Sequence, residues 1–424
     1  MNNETTQILK GQIVYTKTQN ELTVCADGYL VARDGKVVGV FDKLSEEYKD
    51  VPVEDYKDRL IIPGLVDLHV HAPQYAFRGT GMDLELLDWL NTYTFPEEAK
   101  YKDMEYAKRA YSLFVNDLKN GATTRAVVFA TIHTEATLML MDMLNESGLG
   151  AMVGKVNMDR NSPDILRETT QESLQATRAF IAACKDYKRV KPMLTPRFTP
   201  SCTDELMQGL GEIQRETGLA VQSHLSENPS EIAWVKDLCP ASSCYADTYK
   251  RCGLFGDGVP TVMAHGVYPS ATEMDMIAKN KVFIAHCPQS NANLASGIAP
   301  IREYMENGVK LGIGTDIAGG ASLSMMRAVA DTISVSKLRW RLVDESRKPL
   351  SVSEAFFMAT KGGGELFGKV GSFEEGYAFD AIVLSDDAYK SVYPMSIEDR
   401  LERAIYLAHD SAVLAKYVDG VKIK

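Results

Sequence analysis

The chain has 424 residues, 45% apolar and 24% charged, with 46 basic against 57 acidic side chains and a formal net charge of −11. That is a folded protein large enough for one barrel or a few ordinary domains, not a disordered tail, a collagen or a coiled coil. An acidic surface without a long Lys/Arg block disfavours nucleic acid as a partner, and no apolar run reaches the roughly eighteen residues a membrane span needs. The N-terminal MNNETTQILKGQIVYTK lacks the charged-then-apolar-then-small pattern of a secretory leader, so a cytoplasmic protein is expected.

The first sixty residues alternate apolar and polar positions in QIVYTK, LTVCADGYLVARDGKVVGVFD and DRLIIPG, with Asp-Gly punctuation, as half-buried antiparallel strands do. From residue 65 the texture changes. Short apolar runs at 65–70, 123–129, 150–156, 191–195, 219–224, 261–265, 281–286 and 310–315 alternate with amphipathic helical stretches such as 103–119 and 168–185. Eight strands with crossover helices predict a TIM-like (β/α)8 barrel. A doubly wound sheet is the rival, but no GxGxxG follows the first strand. The C-terminal VGSFEEGYAFDAIVLSDDAY and AVLAKYVDGVKIK return to the β-rich style. The expected organisation is therefore a small discontinuous β-sandwich from residues 1–62 and 370–424 around a barrel of residues 63–369. The seven scattered cysteines suit reduced thiols, not a disulfide framework.

Of the seven histidines, His69, His71, His224, His265 and His286 fall at or just after proposed strand ends, and Asp316 closes the eighth run in GIGTD. Barrel enzymes build their active sites at that C-terminal mouth. His69 and His71 stand two apart on a strand, so both imidazoles share a face and can meet one ion. Alone, an HxH pair reads equally as surface or core. Together with His224 and Asp316 it makes a set of three imidazoles and one carboxylate, the donors that suit a catalytic zinc or ferrous ion. Glu227, in HLSEN, is close enough to reach the same place as a proton shuttle, and the competing reading makes it an ordinary acid in the first turn of a helix.

In order along the chain, PGLVDLHVHAPQ, QSHLSE, MAHG, IAHCPQSN and GIGTD resemble the amidohydrolase superfamily of metal-dependent barrel hydrolases and deaminases. The likeness covers essentially the whole chain. The stretch 71–98 (HAPQYAFRGTGMDLELLDWLNTYTFPEE), with TPRFTPSC and GTDIAGG, is similar to its guanine-deaminating branch. Binuclear relatives carry a modified lysine at the end of the fourth strand. This sequence reads LTPRF there, and Lys191 sits at the start of the strand, so the resemblance implies one divalent ion per subunit, Zn2+ in first place and Fe2+ as the alternative.

It further implies hydrolytic deamination of guanine, a small-molecule purine. Gln74, Arg197 and Phe198 would hold the ring, Glu227 would carry a proton, His265 would hold the hydroxide and Asp316 would accept its proton. His286 is expected to be structural or to stand behind the ligands, His133 to lie near the mouth, and His409 to be surface. Tyr93 and Phe95 are expected to help cover the site. A homodimer is the default assembly. The alternatives are deamination or dechlorination of another aminated heterocycle, such as 8-oxoguanine, an adenosine-type compound or a triazine, and a non-catalytic barrel that kept the fold.

Overall fold

The computed structural model describes residues 5–424. Eight parallel strands follow one another around the barrel: Leu65–His71, Thr123–Phe129, Gly150–Gly154, Val190–Pro192, Val221–Leu225, Thr261–His265, Phe283–His286 and Lys310–Ile313. The ring closes between the fourth and fifth strands, where the Leu194 amide donates to the Ala220 carbonyl at 2.9 Å and the Gln222 amide donates to the Leu194 carbonyl at 3.0 Å. All eight expected runs are strands, with ends displaced by a few residues.

Helices fill the crossovers for local reasons that the sequence carries. Met104–Asn120 starts behind Asp103, whose carboxylate accepts from the amides of Glu105 and Tyr106, and it buries Ala107, Ala110, Tyr111, Phe114 and Leu118 at helical spacing. Thr170–Ala183 opens on a capping box between Thr169 and Glu172.

The lower half of the barrel is packed with Val66, Leu68, Val127, Met193, Val262 and Phe283 among others. A register shift between Asp67 and Val70 in the first strand breaks strict alternation there. Leu68 therefore joins the interior layer while His69 and His71, one and three positions later, reach the mouth. The bottom is closed by Leu366, Val370 and Ala378 from the segment leading back to the terminal strands.

Both ends of the chain meet in one seven-stranded mixed sheet. Thr6–Thr18 runs parallel to Val53–Pro63, which pairs antiparallel with Ala381–Leu384. The strands of this terminal domain are joined through one hydrogen-bonded ladder, in which the thirteen-residue strand Thr6–Thr18 pairs with Glu21–Arg33 along nearly its whole length. The sheet's two faces are buried differently: Ile13, Tyr15, Leu30 and Phe379 form a core of their own, while Val14, Leu60 and Ile62 pack with barrel helices. Of the two Asp-Gly pairs near the N-terminus, Asp34-Gly35 makes the hairpin, with φ of 49° and 75°. Asp27-Gly28 lies inside the strand Glu21–Arg33 at a register shift, where a side chain at Gly28 would strike Cys25 Sγ. No helix among the described residues is long and apolar enough to cross a membrane.

Sheet and barrel are tied by a buried ion network. Arg125, on the second barrel strand, donates from Nε and Nη2 to Asp380 at 2.7 and 3.0 Å and from Nη2 to Asp419 at 2.7 Å. Removing one member strands a buried charge. The Asp380→Ala variant is expected to lose about 3–5 kcal/mol of stability, read as a lowered denaturant midpoint. A midpoint equal to that of the parent protein would show that the tie contributes nothing.

Candidate active site

The strand ends deliver their polar side chains to one buried point. His69 Nε2 and His71 Nε2 lie 3.2 Å apart, His71 Nε2 and His224 Nε2 also 3.2 Å, and Asp316 Oδ1 is 3.1 Å from His69 Nε2 and 3.5 Å from His71 Nε2. Donors at about 2.0–2.1 Å from one ion lie roughly 2.9–3.5 Å from their neighbours, so these spacings fit a single ion. The protonation states fit as well. Burial holds the His69, His71 and His224 imidazoles below their ordinary range, leaving them neutral as ligands must be. Burial alone would raise the Asp316 carboxyl, but the surrounding histidines outweigh it and keep the group an anion. Three nitrogens and one carboxylate oxygen suit zinc or ferrous iron.

His265 stands on the far side of Asp316, with Nε2 3.7 Å from Asp316 Oδ2 and 3.4 Å from Glu227 Oε2. It also converges with His69 and Asp316 closely enough to count as a rival donor. Its backbone has φ of 76° and that of Asp316 48°, conformations that non-glycine residues adopt mainly where tertiary structure demands it. Burial would depress the His265 imidazole, but the facing Glu227 and Asp316 carboxylates hold it up.

A layer of partners aims these groups. His224 Nδ1 donates to the Arg197 carbonyl at 2.6 Å, which leaves the Nε2 lone pair facing its neighbours. His265 Nδ1 donates to Asn291 Oδ1 at 2.9 Å. Asp67, fully buried beneath the cluster, accepts from the amides of His69 and Thr315 at 3.1 and 3.0 Å and from Thr315 Oγ1 at 2.5 Å. Burial pushes its carboxyl up to about 7 despite those donors.

Above the cluster opens a cleft whose lining combines apolar walls with a few convergent polar groups, the make-up of a small-molecule site. Leu86, Trp89, Leu90, Phe198 and Leu294 give it apolar walls, and Gln74, Arg197, Glu227 and Glu231 add polar atoms. Glu227 is not a first-turn helical acid. The following helix, Pro229–Leu238, takes Asn228 as its cap, and the capping-box acid is Glu231. Glu227 precedes the cap and its Oε1 accepts from Ser296 Oγ at 2.9 Å. Burial raises its carboxyl to about 7, so it can hold or release a proton near neutrality.

Gln74 and Arg197 are joined by a residue the sequence reading missed. Glu98 accepts from Gln74 Nε2 at 2.9 Å and from Arg197 Nη1 and Nη2 at 2.5 and 3.0 Å. Glu231, Asp67 and Asn291 were missed too. A buried acid leaves no periodic trace, and the only signal for Glu98 was its place in FPEE, inside the stretch already singled out.

Of the other expectations, those for the aromatic cover change, while His286, His409 and Lys191 lie outside the cleft as expected. The cover of the cleft is Leu86, Trp89 and Leu90, not Tyr93 and Phe95. Phe95 lies 5.2 Å from the Arg197 guanidinium, and Tyr93 stacks on Phe77. His286 does not line the cleft, neither of its ring nitrogens is hydrogen-bonded, and burial lowers it to about 3. His133 precedes the helix Thr134–Ser147 and does not line the cleft, and His409 is exposed. Lys191 is exposed at its strand start, its Nζ donating to the Tyr187 carbonyl.

The Amidohydrolase family model matches residues 60–423. The guanine deaminase of Dictyostelium discoideum is 36% identical over 100% of this chain and 99% of its own length, and that of Mus musculus is 39% identical over 98% and 96%. A crystal structure of guanine deaminase from C. acetobutylicum, with guanine bound in its active site, is 48% identical and superposes with a TM-score of 0.96 over 99% of this chain and 100% of that one. This chain belongs to the amidohydrolase family.

The layer beneath the cluster gives the first test of this geometry. The Asp67→Ala variant frees two amides and the Thr315 hydroxyl next to His69 and Asp316. Metal affinity is expected to fall by about 10- to 100-fold, measured by chelator competition. Unchanged affinity would mean that the ligands are held without it.

Proposed function

We propose that this chain hydrolyses guanine to xanthine and ammonia, with His69, His71, His224 and Asp316 holding one divalent ion, Zn2+ by its preference for nitrogen-rich donor sets. The observation that carries the reading is one cleft in which the four donors and the titratable Glu227 face a guanidinium and an amide, Arg197 and Gln74. The guanine-bound relative supports the choice of purine. The division into residues 1–62 with 370–424 and 63–369 belongs to the same proposal, supported by the terminal strands lying outside the barrel's own ladder.

An ion held by these four side chains would supply Lewis acidity and bring the pKa of a bound water down to about 7. The rest falls to the chain. Arg197 presents N–H donors matched to a carbonyl oxygen such as O6, and Phe198 gives the ring a flat apolar neighbour. Protonated Glu227 donates to N3, which makes C2 electrophilic. His265, between Glu227 and Asp316, orients the attacking water by hydrogen bond. Asp316 takes a proton from that water as the new C2–O bond forms. The exocyclic nitrogen takes the proton held by Asp316 and leaves as ammonia when its bond to C2 breaks, while the C2 hydroxyl gives its proton to Glu227 and N3 keeps its own. The product carries a carbonyl where guanine had its amine.

Ammonia release from guanine by the metal-loaded protein tests the proposal, with a metal-stripped sample and an adenine control beside it. Release is expected from guanine, lost on stripping and restored by Zn2+. No release from a loaded sample would remove guanine as the substrate. The Glu227→Gln variant is expected to keep its metal and lose about 10²- to 10⁴-fold in turnover. Turnover close to the parent's would take Glu227 out of the proton path.

A further inference from the structure

We propose that Glu98 sets the specificity of the purine pocket: it fixes the Gln74 amide, holds the Arg197 fork and cancels the guanidinium charge, so that the pocket takes a neutral purine and lets go of a more acidic product. The inference rests on the guanine reading above.

The geometry is specific. Glu98 is 1% exposed, at the end of the helical turn Phe95–Glu98, and its hydrogen-bond partners among the described residues are Arg197 and Gln74. Because a carboxylate only accepts, its 2.9 Å contact with Gln74 assigns the amide nitrogen to that side. The other end agrees, since Gln74 Oε1 accepts from the Ala318 amide at 2.9 Å. Arg197 spends one N–H of each terminal nitrogen on Glu98, and its remaining N–H groups are free for a ligand carbonyl. The same residue's carbonyl orients His224, so the Glu98 clamp also steadies a candidate metal ligand.

Charge gives the clamp its second role. A lone buried guanidinium would attract anions, whereas the paired one presents donors with little net charge. Tyr101, Tyr111 and His133 also feel the Glu98 carboxylate, and none of them is a permanent cation. Guanine is neutral at neutral pH. Xanthine, with a second ring carbonyl in place of the amine, gives up an N–H proton more readily. A pocket without a net positive charge on this wall therefore favours the substrate over the ionised product.

The test compares the metal-loaded parent with the Glu98→Gln and Arg197→Gln variants, measuring KM for guanine and competitive inhibition by xanthine, each below and above the ionisation of xanthine. Glu98→Gln is expected to raise KM for guanine by about 10- to 100-fold, with a smaller change in kcat. Above the xanthine ionisation its ratio of xanthine Ki to guanine KM should drop by about tenfold relative to the parent, with no such drop below it. Arg197→Gln, which leaves the carboxylate uncompensated, should move the same ratio upward, and it serves alone if Glu98→Gln does not fold. A ratio that stays at the parent value in the folded variants at both pH values overturns the inference, as does a Glu98→Gln loss confined to kcat. Failure of the parent itself to release ammonia from guanine would fault the functional reading instead.

Discussion

The barrel mouth gathers more electron pairs than it has protons to share. His224 Nδ1 is committed to a carbonyl, so its Nε2 faces the cluster as a lone pair. His71 Nε2 lies 3.2 Å from that atom and 3.2 Å from His69 Nε2, and a single proton on it cannot serve both. Asp316 adds a carboxylate held firmly as an anion. Such a buried set is strained on its own and becomes favourable around a cation, which neutralises the carboxylate and accepts every lone pair at once. Most other features of the chain read as means of holding these four side chains at that spacing against their mutual repulsion.

Recognition is built into the same holding structure. Arg197 gives its carbonyl to His224 and its guanidinium to Glu98, and Glu98 in turn engages Gln74 on the loop that follows His71. Two of the candidate ligands are thereby linked to Arg197 and Gln74 through backbone and a buried ion pair. Glu227 and Glu231 divide the work of two neighbouring acids by environment. Glu231 takes the backbone amides of Glu227 and Asn228 and the Tyr245 hydroxyl, while Glu227 is left facing His265 with a single hydroxyl donor. The first closes the helix start and the second stays available for a proton.

Periodicity and strand-end chemistry made the barrel, the HxH pair, His224, His265 and Asp316 legible from sequence alone, because each sits where an apolar run ends, whereas Arg197 was singled out through the family resemblance. The register shift inside Leu65–His71 was not legible, since Leu68 and His69 look like ordinary alternation until the neighbouring strand is present. Nor was Asp67, which reads as a polar interruption of a strand and is in fact a buried acceptor for three donors. Glu98 and Asn291 depend on contacts across 99 and 26 residues, which no local pattern encodes. That the terminal strands share one mixed sheet is a matter of strand length and register, properties that pairing decides. Within that sheet the Asp27-Gly28 pair misleads as a turn signal because its glycine is required by a side chain three residues back.

The terminal sheet, though it adds no side chain to the cleft, bears on the site through the chain path. The strand Val53–Pro63 passes through Gly64 directly into Leu65–His71, the strand that carries two of the four candidate ligands. Gly64 makes that close passage feasible, since a side chain there would fall 2.1 Å from Thr124 Oγ1 on the neighbouring barrel strand. Its amide donates to the Asp380 carbonyl at 3.0 Å, and the Asp380 carboxylate holds Arg125 on that same neighbouring strand. The start of the ligand-bearing strand is therefore pinned from both sides, by a ladder to Ala381–Leu384 and by a buried ion pair. Its far end is pinned by the Asp316 amide, which donates to the His69 carbonyl at 2.8 Å. A strand fixed at both ends can keep an internal register shift without slipping, and that shift is what lets Leu68 fill the barrel while His69 and His71 face the mouth.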